Sequence, residues 1–248
     1  MAEGEISTAA ILVIGDEILS GRTKDRNIGY IADRLTGAGI DLMEVRIVSD
    51  VRADIVAALN ALRARYTYVF TTGGIGPTHD DITADSVAAA FDVPIDVDER
   101  AVKTMLERYE KADLTEARLR MARIPQGAEL IANPVSKAPG FHIGNVFVMA
   151  GVPAIMQAMM DDVVPRLKGG QTMHSQSIEA GMGEGAVAQK LSELQDAFPD
   201  VSIGSYPYQR DGKFHTSLVL RGRDTARLDE AARQLHSILA DIRSGKPD

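Results

Sequence analysis

Thr71-Thr72-Gly73-Gly74-Ile75-Gly76-Pro77-Thr78-His79-Asp80-Asp81-Ile82-Thr83-Ala84-Asp85 is the stretch whose reading decides the fold. It follows an apolar run, residues 66–70, that reads as a buried strand, and it precedes residues 84–91, which read as a helix. Glycines between a strand and a helix leave backbone N–H groups free to approach an anion at the helix N-terminus. Asp80 and Asp81 stand where that helix begins, and two carboxylates beside an anion site point to a divalent metal or a positioned water. A capped turn accounts for Gly73 and Gly74 alone. It does not require Gly, Pro, Thr and two Asp in succession. No Lys-Ser or Lys-Thr follows the glycines, so the stretch is not a P-loop.

Upstream, residues 9–15 (Ala-Ala-Ile-Leu-Val-Ile-Gly) form a continuous apolar run, the pattern of a central parallel strand buried on both faces. Ligands of open α/β sheets bind beyond the carboxyl ends of strands. Asp16 is therefore a candidate for a metal or a hydroxyl and Arg22 for a phosphate, the alternative being a solvated loop. Residues 27–38 read as a helix and 41–48 as a second strand. Residues 51–65 read as an amphipathic helix, with Ile55, Leu59 and Leu62 on one face. Locally, Asp50 reads as the N-cap of that helix.

Downstream, residues 93–95 are briefly extended, 98–109 and 116–122 read as helices, and 128–131 as a short strand. Residues 133–141 are a polar loop carrying Ser136 and Lys137, and 141–149 read as a hairpin around Gly144-Asn145. Ala150-Gly151-Val152-Pro153 is a second strand-to-helix turn, followed by a helix over 154–167. Lys168-Gly169-Gly170 marks a boundary, giving a first domain over residues 1–168 and a small β-α-β-β-α domain over 171–248. The small domain reads as strand 172–178, helix 184–198, strands 201–208 and 214–221 joined at Asp211-Gly212, and helix 225–242. No cluster of histidines or carboxylates falls in it, so it reads as a packing or oligomerisation module.

The 248 residues carry a net charge of −8, which argues against a non-specific nucleic-acid binder. The absence of cysteine excludes disulfides, thiolate zinc sites and a Cys nucleophile, and the lack of Trp disfavours base stacking. Residues 1–8 lack a signal-peptide pattern and no run approaches a membrane span, so a cytoplasmic protein is expected. The five histidines are scattered, and His79 alone falls in the glycine loop. There is no Gly-x-Ser-x-Gly elbow.

The run from Gly73 to Thr83 resembles the signature of the molybdopterin-binding (MoaB/Mog-like) domain family. Further matches are Ile14-Gly15-Asp16-Glu17-Ile18-Leu19-Ser20-Gly21-Arg22, then Asn133-Pro134-Val135 with Ala138-Pro139-Gly140-Phe141, then Gly151-Val152-Pro153. These place the resemblance nearest the competence/damage-inducible (CinA-like) subgroup. Gly204-Ser205-Tyr206-Pro207 and Leu218-Val219-Leu220-Arg221-Gly222 extend it into the small domain. It implies a three-layer α/β/α domain with a mostly parallel sheet, a pterin or nucleotide ligand, Mg²⁺, and a homo-oligomer. By motif, the catalytic aspartates of Mog-type enzymes fall on Asp50 and Asp81.

The activity implied is metal-dependent hydrolysis of a nucleotide pyrophosphate bond, as in ADP-ribose or FAD. The alternatives are a non-catalytic pterin- or nucleotide-binding protein and a molybdopterin adenylyltransferase. Gly73, Gly74 and Gly76 would then hold a phosphate, with Thr78, Thr83, Arg22, Ser136 and Lys137 as further contacts. Asp16, Asp80 and Asp81 would hold the metal. Ala150 and Ile155 stand where the subgroup has Pro and Glu, removing a carboxylate. The subgroup's amide-hydrolysing C-terminal domain is not expected, so its deamidation activity is not carried over.

Overall fold

The computed structural model describes residues 6–210 and 212–244. The N-terminal reading up to residue 5 and Asp211 of the predicted hairpin turn lie outside the described residues. The chain divides into two compact units, Met1–Gly170 and Gln171–Asp248.

The first unit is built around β1 (Thr8–Ile14), buried along nearly its whole length. Its side chains alternate between two cores. Ala10, Leu12 and Ile14 join one, while Ala9, Ile11 and Val13 join the other. A continuous apolar run in a period-two element requires this arrangement, because both faces of the sheet are covered. A single turn, α1 (Asp16–Leu19), follows, then α2 (Asn27–Gly37), β2 (Asp41–Val48), α3 (Arg52–Arg65), β3 (Tyr68–Thr72) and α4 (Thr83–Phe91). Next come β4 (Ile95–Val97), α5 (Glu99–Met105), α6 (Glu116–Leu119), β5 (Arg123–Pro125), β6 (Glu129–Ile131), β7 (Gly140–Ile143), β8 (Val146–Met149) and α7 (Pro153–Val163).

The main sheet has the order β2-β1-β3-β8-β7-β6. The first four strands are parallel, while β7 runs antiparallel both to β8, through the hairpin at Gly144, and to the edge strand β6. Ile55, Leu59 and Leu62 of α3, Val87 of α4 and Met105 of α5 fill one core. Ile31 and Leu35 of α2 and Met156, Met159, Met160 and Val163 of α7 fill the other. The layers are thus α/β/α around a mostly parallel sheet.

Three elements depart from the sequence pattern. The helix expected over 98–109 stops at Met105. Beyond it the bonds tighten, Glu107 N–H to Thr104 O (3.2 Å) and Arg108 N–H to Met105 O (3.0 Å), as Glu107 turns to Lys137. The helix expected over 116–122 is one turn of α-helix and one of 3₁₀. Residues 123–125 form a strand that the sequence did not signal. Buried Ile124 and the Arg123–Asp85 pair (2.8 Å) hold it antiparallel to β4.

The second unit comprises β9 (His174–Glu179), α8 (Ala188–Ala197), β10 (Ser202–Arg210), β11 (Lys213–Gly222) and α9 (Thr225–Ser244). Its antiparallel sheet, in the order β10-β11-β9, shares a core with both helices through Leu194, Leu218, Leu220, Leu228 and Leu235. Among the described residues, no helix is long and apolar enough to cross a membrane.

Candidate active site

The parallel strands β1, β2, β3 and β8 deliver their following loops to one edge of the sheet. Chain connectivity leaves β1 for β2 on one side, and β3 lies on the other, so the crevice expected of an open α/β sheet opens beyond β1 and β3. There the backbones meet too closely for side chains. Gly73 has φ 101°, and a Cβ on it would stand 2.2 Å from the Ile14 carbonyl oxygen. Gly74 has φ 67°, and its Cβ would stand 2.1 Å from Thr83 Oγ1. Only glycine meets both demands.

The loop's hydrogen bonds sort its residues into framework and binding surface. The Gly73 N–H donates to Met149 O (3.2 Å), continuing the sheet, so this amide is not free for a phosphate. Buried Thr83 donates through Oγ1 to Gly73 O (2.9 Å) and through N–H to Gly74 O (3.0 Å). Gly73 and Thr83 therefore shape the loop, where the sequence suggested phosphate contacts. The amides of Gly74, Ile75 and Gly76 donate to no acceptor among the described residues. Thr78 donates through N–H (2.8 Å) and Oγ1 (2.5 Å) to Asp81 Oδ2, so it staples the loop from its exposed side. Asp81 borders the cleft.

The acidic residues come from three loops. Asp50, following β2, is not the helix cap that the sequence suggested, since α3 has Val51 at its N-cap and no side-chain cap bond. Its Oδ2 instead accepts the Asp16 N–H (2.9 Å) and so ties the loop after β1 to that after β2. Partial burial raises the Asp50 pKa, the Asp16 N–H opposes this, and the charges of Asp16, Glu17 and Asp80 add to the rise. Asp80 is largely exposed, and the His79 side chain beside it is 99% exposed and does not line the cleft. No three His, Asp or Glu side chains among the described residues converge on one point.

The cleft has a volume of about 520 Å³, within the range of small-molecule sites. Glu17, Thr23, Asp81, Asn133 and Ser136 give it polar contacts, while Ala150, Val152, Ile155 and Met159 supply an apolar wall. The substituted positions Ala150 and Ile155 thus belong to that wall. Ser136 is placed by Asn133, which is 2% exposed. Asn133 Oδ1 accepts from the N–H groups of Val135 (3.1 Å) and Ser136 (3.0 Å), and its Nδ2 donates to Ser136 Oγ (2.5 Å) and Ala138 O (2.7 Å). Buried Asn27 performs a similar task for the second turn, donating from Nδ2 to Gly151 O (2.8 Å).

Two expected cations are elsewhere. Lys137 is paired with Glu107 (2.6 Å) and borders a different depression, and exposed Arg22 does not line the cleft. The sequence reading passed over Asn27, Thr23 and Glu17 as site residues, and placed Asn133 in a loop and in a motif of the resemblance without a role in the site. An Asn directly before Pro134 was the one available signal, since such a side chain commonly folds onto backbone two residues on.

An open, mostly parallel sheet with free loop amides and acidic side chains beyond its strand ends places the first unit among layered α/β domains. The chain belongs to the molybdopterin-binding domain family: residues 10–169 match the family described as "Probable molybdopterin binding domain". Residues 172–244 match "FAD synthase, middle domain". A protein of Archaeoglobus fulgidus is 33% identical over 233 residues, covering 94% of this chain and 98% of the relative. A CinA-like protein of Citrifermentans bemidjiense is 35% identical over 243 residues, 93% of this chain but 58% of the relative. The crystal structure of CinA from Thermoplasma acidophilum, described as of unknown function, superposes with a TM-score of 0.61 at 33% identity. It covers 65% of this chain and 98% of that one.

Proposed function

We propose that the first unit binds a nucleotide or pterin through its phosphates and hydrolyses a phosphoanhydride of the ADP-ribose or FAD type with the aid of Mg²⁺. The observation that carries this reading is the juxtaposition, at one sheet edge, of the free Gly74, Ile75 and Gly76 amides with carboxylates from three loops. The amides suit a phosphoryl oxygen. The match of residues 172–244 to the FAD synthase middle domain supports a dinucleotide such as FAD among the substrates.

Oxygen donors are the right chemistry for Mg²⁺, which commonly takes one or two carboxylates and completes its shell with water and substrate phosphates. Asp50, Asp16, Asp80 and Asp81 are the residues that would hold it. Burial is the main cause of the raised Asp50 pKa, and the charges of Asp16, Glu17 and Asp80, which add to it, are ones a cation would offset. When bound, the cation supplies charge neutralisation at the phosphoryl oxygens and a more acidic water. Asp50 also keeps the Asp16 loop in place, Asp81 holds the glycine loop through Thr78, and the apolar wall offers a surface for a planar ring. An oligomer of this chain belongs to the same proposal and is checked by sedimentation.

The test is product analysis with ADP-ribose, FAD and ATP as separate substrates, in Mg²⁺, Co²⁺ or EDTA. Metal-dependent release of AMP from ADP-ribose or FAD is expected. Asp50→Asn and Asp81→Asn should each cost about a hundredfold or more in kcat. Asn is chosen at 81 because its amide oxygen can still accept the Thr78 N–H. Full turnover in either folded variant would remove that residue from the mechanism. A second reading, binding without turnover, is favoured by the lack of three converging carboxylates among the described residues. Ligand-induced thermal stabilisation with no product would establish it.

A further inference from the structure

Among the described residues Glu17 and Asp81 are the two carboxylates that line the cleft, and no lysine, arginine or histidine lines it. Each of the two lies against a glycine. A Cβ on Gly15 would stand 2.5 Å from Glu17 Oε2, and one on Gly76 would stand 2.6 Å from Asp81 Oδ2. The Glu17 carboxylate is thus folded back onto the end of β1, in space that only a glycine leaves open. Asp81 Oδ2 accepts two bonds from Thr78, whereas the Glu17 carboxylate has no hydrogen bond or ion pair among the described residues. Thr23 also lines the cleft and is tied to the same residue, its N–H donating to Glu17 O (2.9 Å). The Thr23 hydroxyl is likewise without a partner among the described residues. An ionised carboxylate can only accept, so the ligand must bring it donors or a cation. Glu17 joins no group of three His, Asp or Glu side chains among the described residues. A carboxylate beside a hydroxyl suits a sugar diol, and acidic side chains beyond the strand ends of α/β sheets take ribose hydroxyls in this way. Such charge-assisted bonds are roughly twice as strong as neutral ones.

We propose that Glu17 is the ribose-binding residue of the cleft. Its carboxylate accepts the 2′- and 3′-hydroxyls of a ribonucleotide whose phosphate lies on the Gly74, Ile75 and Gly76 amides, and the Thr23 hydroxyl meets the same diol. The inference rests on the proposed function only in taking the ligand to be a nucleotide; it does not need the ligand to be hydrolysed. Strand order agrees with the placement, because β1, which delivers Glu17 and Thr23, is the neighbour of β3, which delivers the amides. The site then selects ribonucleotides over ligands that carry the phosphate without a diol.

Calorimetric titration of the full chain with ADP and 2′,3′-dideoxy-ADP, each over a series of Mg²⁺ concentrations, tests the assignment. The wild type should bind ADP about ten- to a hundredfold more tightly than the dideoxy analogue. Glu17→Gln should remove most of that preference by weakening ADP binding, and leave the affinity for the analogue nearly unchanged. Equal affinity for the two ligands in the wild type overturns the proposal, a comparison that needs no variant to fold. So does a Glu17→Gln protein that keeps the preference or weakens both ligands alike, and so does a wild type that binds neither. If Glu17→Gln only raises the Mg²⁺ concentration needed for tight binding, Glu17 holds the metal and the ribose assignment falls. A diol preference in a wild type that hydrolyses nothing upholds the ribose site and defeats the hydrolase reading. Hydrolysis of ADP-ribose without a diol preference does the reverse.

Discussion

Asn133 shows at the scale of a single residue how this site is held. Its side-chain amide makes two bonds as acceptor and two as donor, all within residues 133–138, and it is almost wholly withdrawn from solvent. An alanine there leaves the buried Ala138 carbonyl and the partly buried N–H groups of Val135 and Ser136 without this partner, a loss of about 1–3 kcal/mol. Asn133→Ala should therefore lower stability in urea by that amount, and because Ser136 loses its anchor, ligand affinity should fall as well. A variant as stable as the wild type would show that water replaces the amide. Residues of this kind were hard to read in the sequence because their partners are defined only by the loop's path. The reverse held for Gly73 and Thr83. The sequence marked them as belonging to the site, but the sheet bond to Met149 and the closure onto Gly73 fix their role as framework. Asp81 was marked for chemistry and also has an architectural task at Thr78.

Elements followed the sequence wherever periodicity and burial agree. β1 and β2 and helices α2, α3 and α4 lie within two residues of their predicted limits, because continuous apolar runs and one-sided stripes have few alternatives. The segment between α4 and β6 was less legible. Its short pieces are fixed by contacts with distant residues, such as Arg123 with Asp85, which no local pattern encodes. One local device in it is clear. Asp98 caps α5 by accepting the Arg100 N–H (2.7 Å), and its carboxylate also meets the Arg100 guanidinium. That guanidinium is the first cause holding the Asp98 pKa below the usual carboxylate value, against a partial burial that raises it. A depressed folded-state pKa contributes stability above the unfolded value, and the contribution is lost as pH falls through the lowered one. Asp98→Ala should thus be less stable than wild type by about 1 kcal/mol at neutral pH. The gap should close in acid. A gap of constant size from neutral pH to strong acid would show that the carboxylate charge is not what stabilises the helix end.

At the scale of the whole molecule, each unit has its own core. Leu12 belongs to a cluster confined to the first unit and Leu235 to one confined to the second, and both side chains are fully buried. The cleft and every carboxylate of the proposed site belong to the first unit. A ligand that binds only the folded first unit stabilises it by mass action, about 2.7 kcal/mol at a hundred times its Kd. Scanning calorimetry should accordingly resolve two transitions. Leu12→Ala and Leu235→Ala should each lower one of them, with a loss of about 2–5 kcal/mol to the unit concerned. ADP-ribose with Mg²⁺ should raise the transition that Leu12→Ala lowers and leave the other in place. If both transitions rise together, or if each variant shifts both, the two cores melt as one cooperative body and the second unit contributes to the stability of the ligand-bound state. If only the transition sensitive to Leu235→Ala responds, the ligand site lies in the second unit and the assignment of the cleft falls with it.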